Sequence, residues 1–264
     1  MRLTYRNQDN KTYWENRWKS VAVDKEMQNE YIYPLKYAKM VCDKTNGKIL
    51  EAGCGAGRLL CYFKNRNKNI FAFDFIYNII QRLKKDDPSF NIFQADTQFL
   101  PFNDNSFECI LAFGLLHNFY GDDLKKAMLE INRITSRNGR LCASFRANNI
   151  QNCLNDWLYN YKSGWKKLIF NNNRKFHKSN IGYQEFKDLI IQSGFNVEQI
   201  YNVENMPLLY KFKLFRHVSH KTFNETKGRS QGYKLNFIGN TLHQMLVKFF
   251  PDQFCNLYVV IARK

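Results

Sequence analysis

Acidic side chains are scarce in this chain. Its 264 residues hold 23 Asp and Glu against 40 Lys and Arg, a formal charge of +17. That imbalance points to an acidic substrate, partner or surface, or to compositional drift in a chain rich in Asn, Lys, Ile, Phe and Tyr. Long apolar runs are also missing. Cys109 to Leu116 is among the longest, far short of the roughly 18–20 residues that a membrane span needs. Met1 to Gln8 lack the apolar core of a secretory signal. Seven cysteines, an odd count with no C-x-x-C pair, argue against both a disulfide framework and a zinc ribbon. Cys42, Cys54, Cys61, Cys109 and Cys142 instead stand in apolar or motif contexts, as small buried thiols do. No metal is expected, because His217 and His220 in a basic stretch are too sparse to make a ligand set. The setting expected from these absences is reducing and cytoplasmic.

What is present is globular. Hydrophobic residues make up 44% of the chain and aromatic residues 16%, and the length suits one α/β domain with insertions. The stretch that organises it is Lys48-Ile-Leu-Glu-Ala-Gly-Cys-Gly-Ala-Gly-Arg58. Apolar Ile49 and Leu50 predict a buried strand, the glycines a tight turn, and Leu59, Leu60, Tyr62 and Phe63 the helix that follows. A helix start offers free N–H groups to whatever lies over the turn, so this is a cofactor cradle. Two familiar cradles fail on spacing. A dinucleotide fingerprint needs glycine at 58 or 60, where Arg58 and Leu60 stand, and the Gly-Lys-Ser/Thr of a phosphate loop is absent.

Further strands follow at regular intervals. Asn69–Phe73 ends in Asp74, where an acid can accept hydrogen bonds from both hydroxyls of a ribose. Phe90–Gln94 closes with Ala95-Asp96-Thr97, and Cys109–Phe113 runs into Gly114-Leu-Leu-His-Asn-Phe119. Helices are expected from Gly57, Tyr77 and Asp122, and another over Tyr183–Phe195 that Gly194 stops. Arg140–Phe145, Phe195–Tyr201 and Phe254–Ala262 complete the strands. This alternation predicts a doubly wound, mostly parallel seven-stranded sheet in a single domain spanning 1–264. His117, after the fourth strand, is the one familiar proton acceptor at the edge where ligands bind, and it serves either as a base or to hold the loop. Residues 1–46 are expected to be helical. Tyr13, Trp14, Arg17 and Trp18 fall at helical spacing, and a second helix is expected over Lys25–Lys44 with a break at Pro34.

The acid-x-Gly-x-Gly-x-Gly pattern from Glu51, with Asp74 and Asp96, resembles the class I S-adenosylmethionine-dependent methyltransferases, and most of all their type 11 small-molecule branch. The resemblance covers residues 47–203 and the last strand, which it implies inserts antiparallel. It implies that Gly53, Gly55 and Gly57 pass under the methionine part of S-adenosylmethionine. Asp74 would then hold the ribose and Asp96 the adenine amino group, with Phe75 or Thr97 flanking the ring, while Glu51 positions the turn. The implied chemistry is in-line attack of an O, N or C nucleophile on the sulfonium methyl, with His117 as base where one is needed. The N-terminal Tyr13, Trp14 and Trp18 either simply pack onto the domain or form a lid that brings Tyr13, Trp14 and Arg17 to the substrate.

Two insertions, 157–182 and 206–250, leave from the substrate edge in that topology. Together they carry +13 of the +17. Drift alone would not concentrate charge there, so a small anionic or polar substrate is the expected partner. RNA held by its phosphates remains an alternative. So does an inactive, cofactor-binding partner subunit, and Leu208–Arg216 is either an amphipathic lid segment or a site of transient contact with an anionic membrane. No Asp/Asn-Pro-Pro-aromatic motif or Pro-Cys pair follows the fourth strand, which disfavours exocyclic base amines and pyrimidine C5 as acceptors.

Overall fold

A computed structural model describes residues 1–20, 27, 29–162, 174–222 and 232–264. Lys166, Lys167, Glu225, Lys227 and Arg229 of the two basic insertions lie outside these. Nine strands are described: β1 Arg2–Arg6, β2 Ile49–Ala52, β3 Ile70–Asp74, β4 Asn91–Gln94, β5 Phe107–Ala112, β6 Thr135–Arg146, β7 Lys175–Asn180, β8 Asn196–Val203 and β9 Leu257–Arg263. Seven of them form one sheet in the order β4-β3-β2-β5-β6-β9-β8. Only β9 runs against its neighbours, between β6 and β8.

β2 lies inside the sheet and all four of its residues are buried. Leu50 pairs with Phe71 on one side and Ile110 on the other. Successive side chains point to opposite faces, so a strand covered on both must be apolar throughout. Ile49, Cys109 and Leu111 accordingly join one core and Leu50, Ile110 and Ala112 the other. Helices α1 Asn10–Ser20, α2 Leu35–Cys42, α3 Arg58–Lys64 and α4 Tyr77–Asp86 come before β4. The first core takes Val41 from α2, Leu59 from α3 and Leu83 from α4. After β5 come α5 Gly121–Ile134, α6 Ile150–Lys162 and α7 Tyr183–Gln192. The second core takes Met128 and Ile131 from α5 and Ile190 from α7. Each such side chain contributes about 1.5–3 kcal/mol by leaving water.

Two local expectations need correction. The N-terminal segment is not wholly helical: β1 pairs antiparallel with β7 in a separate two-stranded ribbon. The second helix, expected over Lys25–Lys44, covers only Leu35–Cys42 among the described residues, with Pro34 at its start. Proline suits a helix start, where its missing N–H would have no partner, and not a helix interior.

Candidate active site

The carboxyl ends of β2, β3 and β5 meet at one edge of the sheet. Three glycines there hold left-handed backbone, with φ of +69 at Gly53, +51 at Gly55 and +79 at Gly57. Gly55 and Gly57 also have no room for a side chain. A Cβ on Gly55 would lie 2.6 Å from the Trp18 indole, and one on Gly57 2.7 Å from a Leu83 methyl. The N–H groups of Gly53 and Cys54 both donate to the Phe73 carbonyl, at 2.9 and 3.0 Å, tying the turn to β3.

Two buried carboxylates brace this turn. Asp74 accepts from the Gly55 N–H and the Ile76 N–H, each at 2.9 Å. A carboxylate offers about four acceptor positions, more than the neighbouring backbone fills. Burial raises the pKa of Asp74 from the ordinary value. Glu51 accepts from the Leu60 N–H at 2.9 Å, at the start of α3, and burial pushes it up to about 8. That hydrogen bond ties β2 to the first turn of α3. Beyond β4, Asp96 is half-buried and accepts from the Gln98 N–H at 3.0 Å, while Thr97 is buried. Phe75 is 47% exposed, and the Lys11 ammonium lies 5.9 Å from its ring centre. Bare glycine backbone, a buried carboxylate with acceptor capacity to spare and a second carboxylate at the next strand suit an adenosyl cofactor.

The N-terminal helix closes over the cradle. Trp14 and Trp18 stack with ring centres 5.5 Å apart, and the Trp18 carbonyl accepts from Arg82 of α4. Tyr13 meets Trp14 edge-on and lies under the Arg6 guanidinium, 3.7 Å from its ring centre. Arg17 is the remaining lid residue, and its charge reaches Lys178.

His117 sits in a 3-10 turn, Leu116–Asn118, beyond β5. That turn is held from outside by β7: Ser179 Oγ donates to the carbonyls of His117 and Phe119, at 3.2 and 2.7 Å. Burial, then the charges of Lys178 and Arg146 and the neighbouring His177, hold His117 well below the usual imidazole range. Lys178 is half-buried, and burial and Arg146 bring it down to about 8. In the ribbon Thr4 pairs with Lys178 and Tyr5 with Phe176, which leaves His177 as the extra residue of a bulge. A bulge breaks the in–out alternation and re-aims side chains. Asp156 organises the back of this group, accepting from Arg146 at 2.8 and 3.1 Å and from Arg2 at 2.8 Å.

The structure thus gathers Tyr13, Arg17 and His117 around β7, and Gly53, Gly55, Gly57 and Asp74 in the cradle. Trp14 stacks on Trp18 and packs against the first core. Sequence reasoning missed His177, the Arg146–Asp156–Arg2 network and the Tyr33–Ser144 contact. Tyr33 OH meets Ser144 Oγ at 2.9 Å, and Ser144 also accepts from the Gly114 N–H at 3.0 Å, fixing the start of the His117 turn. Lys178 was visible only as one charge among many.

The sheet order, with its single antiparallel strand and a glycine turn after the central strand, defines a doubly wound methyltransferase architecture. A methyltransferase domain family model matches residues 50–143. The chain is 26% identical over 101 residues to malonyl-[acyl-carrier protein] O-methyltransferase of Hamiltonella defensa, covering 38% of each protein. It is 27% identical over 169 residues to an uncharacterised protein of Methanocaldococcus jannaschii, covering 64% of each. The aligned region therefore spans less than two thirds of either relative. A crystal structure of a SAM-dependent methyltransferase from Archaeoglobus fulgidus superposes with a TM-score of 0.58 at 14% identity, covering 97% of this chain and all of that one. Residues 50–143 thus resemble a methyltransferase domain, and the chain as a whole has the fold of the solved S-adenosylmethionine-dependent methyltransferases.

Proposed function

We propose that this protein transfers a methyl group from S-adenosylmethionine to an O, N or C nucleophile of a small anionic or polar molecule. The observation that carries the acceptor reading is the convergence of His117 with Lys178 at the sheet edge that also holds the glycine cradle. In this reading Gly53, Gly55 and Gly57 offer backbone to the methionine part and Asp74 binds the ribose. Asp96, Thr97 and Phe75 enclose the adenine. Glu51 touches none of these and braces α3. When bound, the cofactor supplies an electrophilic methyl on a good leaving group, so the protein contributes mainly alignment, worth up to about 7–11 kcal/mol.

His117 is neutral at physiological pH, because its surroundings oppose protonation. A neutral imidazole can take a proton from an acceptor hydroxyl or amine. Lys178, desolvated beside it, suits an anionic group on the acceptor, and that negative charge would offset the field that makes His117 a weak base. Tyr13, Trp14 and Arg17 cover the site and exclude water. The relative from Hamiltonella defensa, by its name, methylates an oxygen of a malonyl acceptor, which is compatible with this chemistry.

Calorimetry with S-adenosylmethionine tests the first half: the wild type binds, and Asp74→Ala binds at least tenfold more weakly, matching about 1.5–3 kcal/mol for a charge-assisted hydrogen bond. Absence of wild-type binding overturns the reading. Release of S-adenosylhomocysteine across a panel of carboxylated and phosphorylated acceptors tests the second. His117→Ala should lower turnover by about 10²–10⁴-fold with cofactor affinity unchanged. Unaltered turnover would leave His117 with a structural role only.

A further inference from the structure

The chain between β8 and β9 runs from Glu204 to Asn256. It leaves from the carboxyl end of β8. Because β8 and β6 both run opposite to β9, that end lies on the same sheet edge as the glycine turn. Its described part is three short 3-10 turns and a helix, α8 Phe237–Phe249.

One side of α8 is built into the protein. Gly239 and His243 are buried, and His243 contacts the Glu204 carboxylate. A Cβ at Gly239 would lie 2.7 Å from the Phe215 carbonyl, so the helix rests directly on the preceding turn. The other side is bare. Ile238, Leu242, Met245 and Phe249 follow i, i+4, i+7, i+11 spacing, which puts them on one stripe. They are 62%, 43%, 53% and 64% exposed, with Phe237 at 86% beside them and Leu214 at 78% on the adjoining turn. Monomeric soluble proteins rarely leave so continuous an apolar face uncovered.

Charge says what covers it. The described residues of this segment, 206–222 and 232–250, contain six Lys and Arg and no Asp or Glu. Lys213, Lys221, Lys234 and Lys248 are exposed. Among the described residues the nearest acids in sequence are occupied, Glu204 by His243 and Asp252 by Asn202. A second copy fits poorly, since a two-fold interface would set this cationic rim against itself. Nucleic acid would match the charge but makes little use of an aliphatic stripe, because it is gripped through phosphates and stacked bases.

We propose that the α8 face is a docking surface for an anionic lipid bilayer. The helix lies in the plane of the membrane, with Ile238, Leu242, Met245 and Phe249 in the acyl boundary and the lysines at the headgroups, as interfacial helices do. The proposal is independent of the methyl acceptor.

Vesicle flotation of the full chain tests it, using phosphatidylcholine alone and phosphatidylcholine mixed with phosphatidylserine. The wild type should float only with the mixed vesicles. Leu242→Gln/Met245→Gln removes apolar surface without changing charge, and Lys213→Glu/Lys234→Glu reverses charge without touching the stripe. Each should reduce flotation at least tenfold while circular dichroism and cofactor affinity stay as in the wild type. No flotation with either vesicle overturns the proposal, as does flotation that survives Leu242→Gln/Met245→Gln. Self-association in sedimentation that this variant abolishes, without vesicle binding, would assign the face to a second copy. Salt-sensitive binding of an RNA fragment in preference to vesicles would assign it to nucleic acid.

Discussion

The glycine cradle and the His117 pocket share one sheet edge but are made from different materials. The cradle is built between Glu51 and Asp74, from bare glycine backbone braced by two buried acidic side chains. The pocket is assembled from β1, α1, the turn after β5 and β7, and it gathers charged and aromatic side chains. A site made of backbone tolerates little change at its own positions. A site made of side chains can be altered one residue at a time, which is how one fold comes to serve many acceptors.

That contrast can be broken in order of expected effect. Gly55→Ala should be the most damaging change. It forces a side chain into φ +51 and into the Trp18 indole, and left-handed backbone alone costs about 1–2 kcal/mol. With the added clash, calorimetric affinity for S-adenosylmethionine should fall by about 100-fold or more. Unchanged affinity would mean that the turn is not the contact surface.

Asp156→Ala should come next and act on the pocket alone. It strips Arg2 and Arg146 of their shared carboxylate, in a setting where all three side chains are less than a third exposed. Denaturant unfolding should show a loss of about 1.5–3 kcal/mol, with turnover reduced and cofactor affinity preserved. Weakened cofactor binding would show that the two halves are coupled through the sheet.

The smallest effect lies in pH, where the halves should respond with opposite sign. Burial, then Lys178 and Arg6, hold His177 down to about 3, against an ordinary value of 6.5. Its contribution to stability is present above 6.5 and is lost as pH falls toward 3, because the unfolded chain takes up the proton first. Glu51 is raised from 4.5 to about 8, so its contribution is complete below 4.5 and is lost as pH rises through 8. Melting temperature against pH should therefore lose some of its acid-side fall in His177→Gln and some of its alkaline-side fall in Glu51→Gln, by a few degrees each. Flattening on the same side by both variants would refute this division.

The cradle was legible because its signals are local. Spacing of the glycines, an apolar strand before them and acids at the next two strand ends can all be read within a short stretch. Strand order followed from the same alternation. The pocket was legible only at His117, which a strand end marks. Lys178 and His177 acquire meaning from a ribbon partner at the far end of the chain, and β1 is five residues of Arg-Leu-Thr-Tyr-Arg with no apolar run to announce it. The aromatic spacing of Tyr13, Trp14 and Trp18 showed a helix, but not that Trp18 lies across Gly55. The exposed stripe of α8 was hidden differently: an apolar helical pattern normally marks a buried face, and only the fold shows that this one points outward.

The ribbon of β1 and β7 also sets a timetable. Tyr5 pairs with Phe176, so about 170 residues must be added after the first partner before the second exists. At about 5–20 residues per second a ribosome needs roughly 10–30 s for this. β2 to β5 are made well within that interval, so the glycine cradle can close on the growing chain while Arg2–Arg6 still wait for their strand. Anything that captures or clips those waiting residues would leave the glycine turn closed and β7 without its ribbon partner.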